Sequence, residues 1–159
     1  MHIVRVSQRD IPVIHQLAHQ IWWPTYSAIL SEEQISFMLK NMYSPDALGE
    51  QIKNGSQFIL VKNEGTDVAF AGYSIEAKVL KIHKIYILPS EQGKGTGRKL
   101  IEYLDNIARE CGISKLQLNV NRANPALSFY QKVGFKIVKT VDIPYFEFVL
   151  NDYVMRKEV

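Results

Sequence analysis

The sequence predicts a mixed α/β fold in which a mostly antiparallel sheet of about seven strands is flanked by helices. Two observations carry this prediction. Residues 57–88 read as three consecutive strands joined by tight turns, which indicates an antiparallel meander. Residues 82–120 read as strand, glycine-rich loop, helix and strand, which is the order of a right-handed unit with two parallel strands. Together they predict a mixed sheet.

Length and composition predict one globular domain spanning residues 1–159. Of these 159 residues, 47% are hydrophobic and 22% are charged, with a net charge of +3. No apolar run is long enough for a transmembrane helix, and the N-terminal segment lacks the apolar core of a signal peptide. The basic residues do not cluster with aromatic ones, as they do on nucleic-acid surfaces. We therefore expect a cytoplasmic protein that binds neither membrane nor nucleic acid.

Cysteine and histidine do not form a predicted metal site. The single cysteine, Cys111, excludes an internal disulfide, and the four histidines are scattered. His15 and His19 have the i, i+4 spacing that can hold a metal ion on a helix, but no third ligand is apparent near them. We therefore interpret both as ordinary surface or partly buried residues and predict no metal.

The first third of the chain is predicted to be a strand followed by helices. Residues 2–6 read as the strand, and Asp10 is a plausible N-cap for a helix over residues 11–21. The proline-containing aromatic stretch at residues 22–26 is predicted to break that helix. Two further helices are predicted, one opened by the capping-box pattern that starts at Ser31 and one capped by Ser44.

The aromatic and methionine residues of this region allow two interpretations. They either pack the helices onto the sheet, or some of them form the wall of an acceptor pocket. The residues concerned are Trp22, Trp23, Tyr26, Phe37, Met38, Met42 and Tyr43.

Residues 92–97, with the sequence Gln-Gly-Lys-Gly-Thr-Gly, form a loop between a predicted strand at 82–88 and a predicted helix at 97–111. Glycine adopts positive φ angles, so successive backbone N–H groups can turn inward around phosphate oxygens. The positive end of the following helix points at the same place, and Lys94 and Arg98 add charge. The arrangement predicts a site for a phosphate-bearing cofactor.

The glycine spacing excludes two common phosphate loops. A P-loop needs G-x-x-x-x-G-K-[ST] and a dinucleotide loop needs G-x-G-x-x-G, and neither occurs in this stretch. The loop does match [QR]-x-x-G-x-[GA], and it resembles the pyrophosphate loop of the GCN5-related N-acetyltransferases (GNAT), which bind acetyl-CoA.

A second motif strengthens this resemblance. After a predicted strand at 115–120, Asn124 is predicted to be an N-cap, Pro125 to begin a helix and Gly134 to end it. The segment is similar to the second cofactor segment of the same family, N-x-x-A-x-x-F-Y-x-K-x-G-F. The resemblance covers residues 58–135 and implies the GNAT fold, in which the strands at 82–88 and 115–120 splay apart at the cofactor.

The resemblance assigns the cofactor contacts for acetyl-CoA. It implies that one strand pairs through its backbone with the pantetheine arm, that the glycine loop holds the pyrophosphate, and that an asparagine and a lysine of the second motif contact the arm and the nucleotide. The residues so assigned are Ile85, Tyr86, Ile87, Gln92, Gly93, Lys94, Gly95, Thr96, Gly97, Arg98, Asn124 and Lys132.

The resemblance also implies catalytic roles. Tyr130 would be the general acid that protonates the departing CoA thiolate. Family members often carry a glutamate base at the place where this sequence has Lys81, which cannot serve while charged. His83 lies on the same strand face and is the predicted base, since an ordinary histidine pKa near 6.5 suits that task. Glu76 and ordered water remain alternatives.

Residues 136–143 and 153–157 are predicted to complete the sheet as a hairpin around Asn151 and Asp152. Tyr145 and Glu147 would then lie near the acceptor side.

These inferences predict an acetyl-CoA-dependent N-acetyltransferase that uses direct transfer to a primary amine in a ternary complex, since Cys111 lies away from the predicted site. Stretches 25–31 and 43–45 look loosely like bacterial polyamine acetyltransferases, so a polyamine or other small amine is the expected acceptor. A protein N-terminus or lysine as acceptor, and a non-catalytic acyl-CoA sensor on the same fold, stay open as alternatives. A homodimer is compatible with the sequence.

Overall fold

The computed structural model describes residues 1–159, which form seven strands and five α-helices. The strands are β1 (His2–Arg5), β2 (Gln57–Asn63), β3 (Thr66–Glu76), β4 (Val79–Ile87), β5 (Lys115–Asn121), β6 (Lys136–Tyr145) and β7 (Phe148–Glu158). The helices are α1 (Ile11–Tyr26), α2 (Glu32–Tyr43), α3 (Pro45–Lys53), α4 (Thr96–Glu110) and α5 (Ala126–Lys132). None of these helices is long and apolar enough to cross a membrane.

The strands form a mixed sheet in the order β1-β2-β3-β4-β5-β7-β6. β4 and β5 are parallel, as expected for two strands joined through a helix. The pairs β1–β2, β2–β3, β5–β7 and β6–β7 are antiparallel. The mixed α/β fold with a seven-stranded sheet is therefore confirmed.

The contacts divide the chain into two compact units, residues 1–74 with 84–97 and residues 75–83 with 98–159. In the first unit α1 packs against α2 and α3. Its largest fully buried side chains are Tyr43, Tyr73, Phe70, Ile14, Ile21, Ile35, Leu39, Leu48, Ile59 and Leu60. That the whole chain acts as one domain stays a prediction.

Helix α1 continues through its proline, so the break predicted at the aromatic stretch is wrong. Pro24 removes a backbone donor, which costs about 3 kcal/mol in a helix interior. The Thr25 hydroxyl donates to the Ile21 carbonyl at 2.7 Å, and both Trp22 and Tyr26 are buried. Each of these rings buries roughly 150–250 Å², which is worth roughly 4–6 kcal/mol at 25 cal/mol per Å². Packing therefore outweighs the local cost.

The predicted serine caps are confirmed. The Ser31 hydroxyl accepts the Gln34 N–H at 3.1 Å, and the Ser44 hydroxyl accepts the Ala47 N–H at 3.2 Å. Each bond satisfies a donor that the first turn of α2 or α3 would leave unpaired. These two helices begin where local chemistry predicts.

In the second unit the parallel ladder between β4 and β5 is short. It joins Val79–Ile82 to residues 115–118, and all of β5 pairs with β7 on its other side. The splaying expected beyond this ladder stays a prediction.

The last hairpin turns at a different place from the predicted one. Asn151 pairs with Asp142 inside the β6–β7 ladder, and Asp152 pairs with Asn121 of β5. The turn lies at Phe146 and Glu147, where Phe146 has a φ of +54°. The Asn-Asp turn signal is overridden because β7 has partners on both sides at that point, and a turn there would break two ladders.

Candidate active site

The loop between β4 and α4 has an open backbone geometry. Gly93 and Gly95 have φ angles of +80° and +83°, in the left-handed region that side chains rarely adopt. Outside the adjoining residues, no heavy atom lies within 4 Å of the place where a Cβ would stand on either glycine. Backbone N–H groups in such turns form concavities that bind anions. The loop therefore fits the phosphate-bearing group expected from the sequence.

Thr96, the first residue of α4, carries a polar atom without a partner. The residue is 1% exposed, and its Oγ1 makes no hydrogen bond within the protein. A buried hydroxyl left unpaired costs about 1–3 kcal/mol. The first N–H groups of a helix also lack partners within it. A phosphate oxygen would satisfy both kinds of donor. The resemblance assigned Thr96 to the pyrophosphate loop, but it gave its hydroxyl no role, because the loop pattern makes no demand on the side chain there.

Glu91 places a buried negative charge next to the glycine loop. The residue is 5% exposed, and its carboxylate accepts a hydrogen bond from Asn63 Nδ2 at 2.8 Å. The ammonium of exposed Lys94 lies 3.7 Å from its other oxygen. A buried carboxylate opposes anion binding, and these two partners offset part of its charge. Arg98, also exposed, adds a further cation just inside α4. The sequence patterns missed Glu91, whose burial depends on β2.

The last residues of β4, Ile85–Ile87, are half-buried, and Leu88 and a short 3-10 helix (Pro89–Glu91) join them to the glycine loop. The Tyr86 hydroxyl lies 3.0 Å from the Tyr26 hydroxyl at the end of α1. Gln92 Nε2 lies 3.5 Å from the Ile87 carbonyl oxygen, which is at the limit of a hydrogen bond. The contacts expected for the pantetheine arm and for the pyrophosphate therefore lie in one continuous stretch of chain.

The first unit also contains an aromatic cluster that includes one residue of this stretch. Its members are Trp22, Tyr26, Tyr43, Phe70 and Tyr86. Where its rings are in contact, their centres lie 4.5 to 6.4 Å apart in tilted and edge-to-face arrangements. All of its members except Tyr86 are buried, which supports the packing interpretation of these aromatic residues. A role in an acceptor pocket stays a prediction.

Lys84 on β4 is a half-buried cation that no sequence pattern indicated. Its Nζ lies 5.4 Å from the ring centre of Tyr43 and 5.7 Å from that of Phe58. Burial lowers the pKa of Lys84 to about 8. The aromatic faces attract the charged form, but they do not replace the water that the ammonium loses.

Tyr130, the predicted general acid, lies in α5 of the second unit and is 7% exposed. Its ring centre is 5.5 Å from that of Phe129 and 5.9 Å from that of Phe135. The Tyr130 carbonyl accepts the Phe135 N–H at 2.9 Å. Contacts on two sides restrict the ring, and a proton donor needs such a fixed position.

The other predicted residues of the second motif flank Tyr130. Helix α5 begins at Ala126, one residue later than predicted, and Asn124 Oδ1 accepts the N–H of that first residue at 2.9 Å. A hydrogen bond from this side chain to the pantetheine arm would therefore use its amide N–H. Lys132, the last residue of α5, is exposed.

The candidate bases differ in their surroundings. His83 is exposed on β4. Glu76 Oε2 lies 2.8 Å from Lys81 Nζ, and the hydrogen bond and charge of Lys81 lower the pKa of Glu76. A carboxylate with a lowered pKa is a weaker base. His83 is therefore the better candidate of the two.

The predicted site residues are distributed over both units. Ile85–Ile87 and the loop from Gln92 to Gly97 belong to the first. The second contains His83, Arg98, Asn124, Tyr130 and Lys132.

Comparison with known proteins gives a consistent result. Residues 27–144 match the family model described as the acetyltransferase (GNAT) domain. A spermidine N(1)-acetyltransferase of Thermoplasma acidophilum is 27% identical over 164 residues, which cover 99% of this chain and 97% of that protein. An uncharacterized N-acetyltransferase of Lactobacillus delbrueckii subsp. lactis is 30% identical over 145 residues, covering 83% of this chain and 82% of that protein.

Solved structures share the fold over the whole chain. The PaiA N-acetyltransferase of Thermoplasma acidophilum, in complex with coenzyme A, superposes with a TM-score of 0.86 at 27% identity. The match covers 99% of this chain and 98% of that one.

Proposed function

Since this chain belongs to the GNAT acetyltransferase family, we propose that it moves the acetyl group of acetyl-CoA directly to a primary amine, with a polyamine or other small amine as acceptor. The observation that carries the proposal is the open glycine loop beside the buried, unpartnered hydroxyl of Thr96. The coenzyme A bound to the similar PaiA structure supports the cosubstrate. The spermidine acetyltransferase among the relatives supports the acceptor class.

In this proposal the cofactor is held mainly by backbone groups. Ile85–Ile87 pair with the pantetheine arm as an added strand would, and residues 92–97 hold the pyrophosphate with Thr96 as a further donor. Asn124 contacts the arm, and Lys132 lies near the nucleotide phosphate. Residues 1–159 act together as one catalytic domain.

Acetyl transfer requires two proton transfers, one to the departing sulfur and one from the attacking amine. As the new N–C bond forms and the C–S bond of the thioester breaks, the Tyr130 hydroxyl donates its proton to the departing sulfur. His83 accepts the proton of the amine, directly or through ordered water. Cys111 is exposed and follows the last residue of α4, at the end opposite the glycine loop, so it forms no acyl-enzyme.

Thiol release tests the proposal. Purified protein is incubated with acetyl-CoA and separate polyamines, amino acids, aminoalkanes or peptides, and free CoA thiol is read with a disulfide dye. We expect amine-dependent release that is fastest with a polyamine. Release with peptides alone would make the chain a protein acetyltransferase, and tight acetyl-CoA binding without release would make it a sensor.

Gly95→Ala is expected to raise the KM for acetyl-CoA about tenfold, because a side chain at this φ costs about 1–2 kcal/mol and reshapes the backbone around the phosphates. Gly65→Ala is the matched control. Gly65 has a φ of +80° and equally open surroundings, but it lies in the turn between β2 and β3. Both variants should lose similar stability in urea unfolding. Equal KM values in the two variants would contradict the role of the loop.

His83→Gln is expected to lower kcat about tenfold, which is less than the usual contribution of a general base because water can replace an exposed one. Glu76→Gln, on the preceding strand, should change kcat less than about twofold, since this carboxylate is ion-paired. Initial rates at saturating amine measure both. The opposite order would make Glu76 the base.

A further inference from the structure

Helix α1 carries a histidine pair that acetyl transfer does not use. His15 and His19 lie one helical turn apart, with ring centres 4.5 Å from each other. His15 Nδ1 lies 2.7 Å from the carbonyl oxygen of Tyr43. A carbonyl only accepts, so Nδ1 is the donor, and the neutral ring keeps its lone pair on Nε2. Backbone carbonyls orient metal-binding histidines in the same way.

The ring separation fits one bound ion. A metal about 2.1 Å from an imidazole nitrogen lies about 3.2 Å from the ring centre. If the nitrogen–metal–nitrogen angle is about 90°, the two ring centres lie about 4.5 Å apart. A tetrahedral angle would place them about 5.2 Å apart. The observed 4.5 Å matches the separation expected for two adjacent positions of an octahedral or tetragonal ion.

The surroundings leave room for the remaining ligands. Both histidines line a cavity of about 270 Å³, together with Trp23, Leu39 and exposed Lys40. No third side chain of the kind that binds metals stands with them, so water would complete the coordination. Lys40 opposes a cation, but an exposed ammonium is screened by solvent and salt.

We propose that His15 and His19 form a two-histidine site for a divalent transition metal such as Ni²⁺ or Cu²⁺, with water as the remaining ligands. Tyr43 is the last residue of α2, and its carbonyl holds His15 of α1. A bound ion therefore also stiffens the contact between these two helices.

Titration of untagged, metal-free protein with Ni²⁺ in a calorimeter tests the site. We expect one equivalent to bind and to quench tryptophan fluorescence, since Trp23 lines the same cavity. His19→Gln and His15→Gln should each weaken binding at least about tenfold, a loss that even an outer partner of a metal site can cause. His2→Gln and His83→Gln are matched controls on the other two histidines and should bind Ni²⁺ like the parent protein.

The readout does not depend on acetyl transfer. Unchanged Ni²⁺ affinity in His19→Gln would overturn the site, and so would a loss of affinity in His2→Gln that equals the loss in His19→Gln. His19 is exposed, so its replacement should leave the melting temperature of the metal-free protein unchanged. Failure of this test would leave the proposed acetyltransferase activity unaffected.

Discussion

Tyr130→Phe is expected to lower kcat for acetyl transfer about 100- to 1,000-fold, within the range contributed by a positioned acid. The substitution removes only the hydroxyl, because the ring keeps its contacts with Phe129 and Phe135. Without that proton donor the sulfur must leave as an unprotonated thiolate. Thiol release at saturating acetyl-CoA and amine measures the loss.

Tyr103→Phe is the control for this experiment. Tyr103 lies on α4 of the same unit, is half-buried, and has no proposed role. Its replacement should leave kcat unchanged. Calorimetry with CoA should give the same affinity for Tyr130→Phe as for the parent protein. A Tyr130→Phe enzyme that keeps more than about a third of its rate would rule out the phenol as the acid.

Lys84→Met is expected to raise the free energy of unfolding at pH 7 by about 1–3 kcal/mol. A pKa lowered from 10.5 to about 8 corresponds to about 3 kcal/mol of penalty on the charged form. Methionine is similar in length and carries no charge, so it removes that penalty while filling the space beside Tyr43 and Phe58. Urea unfolding at pH 7 measures the gain.

The pH dependence of stability gives an independent check. Below pH 8 Lys84 is protonated in both the folded and the unfolded state, and the folded state bears the full cost of burying the charge. Between pH 8 and 10.5 the unfolded state binds more protons, so stability from this group rises with pH. Lys84→Met should lose this rise.

Lys81→Met is the control variant. It distinguishes the effect on stability of removing a buried charge from the effect of removing any lysine on β4. Lys81 is paired with Glu76 at the surface, so its replacement should change stability by less than about 1 kcal/mol. If Lys84→Met destabilises the protein, the charge on Lys84 is compensated by more than the two rings, and the burial argument is wrong.

Local signals in the sequence predict the strand, loop and helix of the candidate cofactor segment. The strand, the loop at residues 92–97 and the helix after it are encoded by an apolar alternation, closely spaced glycines and an amphipathic stripe, which depend on neighbouring residues alone. The same holds for the caps at Ser31 and Ser44, whose hydroxyls reach backbone groups three residues away. Features that depend only on nearby residues can therefore be predicted from the sequence without the tertiary structure.

Other predictions failed where distant contacts compete with local preference. Pro24 predicts a break, but packing of Trp22 and Tyr26 holds the helix together. The turn predicted at Asn151 and Asp152 became strand, because both residues have partners in a ladder. In each case long-range burial or pairing supplied more free energy than the local signal.

The family, the mixed sheet and the segments expected to hold acetyl-CoA could all be predicted from patterns of neighbouring residues. The burial and the contacts of individual side chains, near those segments and elsewhere, depend on the tertiary structure. It buried Glu91 and Thr96 beside the loop, placed Lys84 over two aromatic rings, and set the His15 proton against the Tyr43 carbonyl. The reason is that solvation depends on every group packed around a side chain, and those groups come from distant parts of the chain.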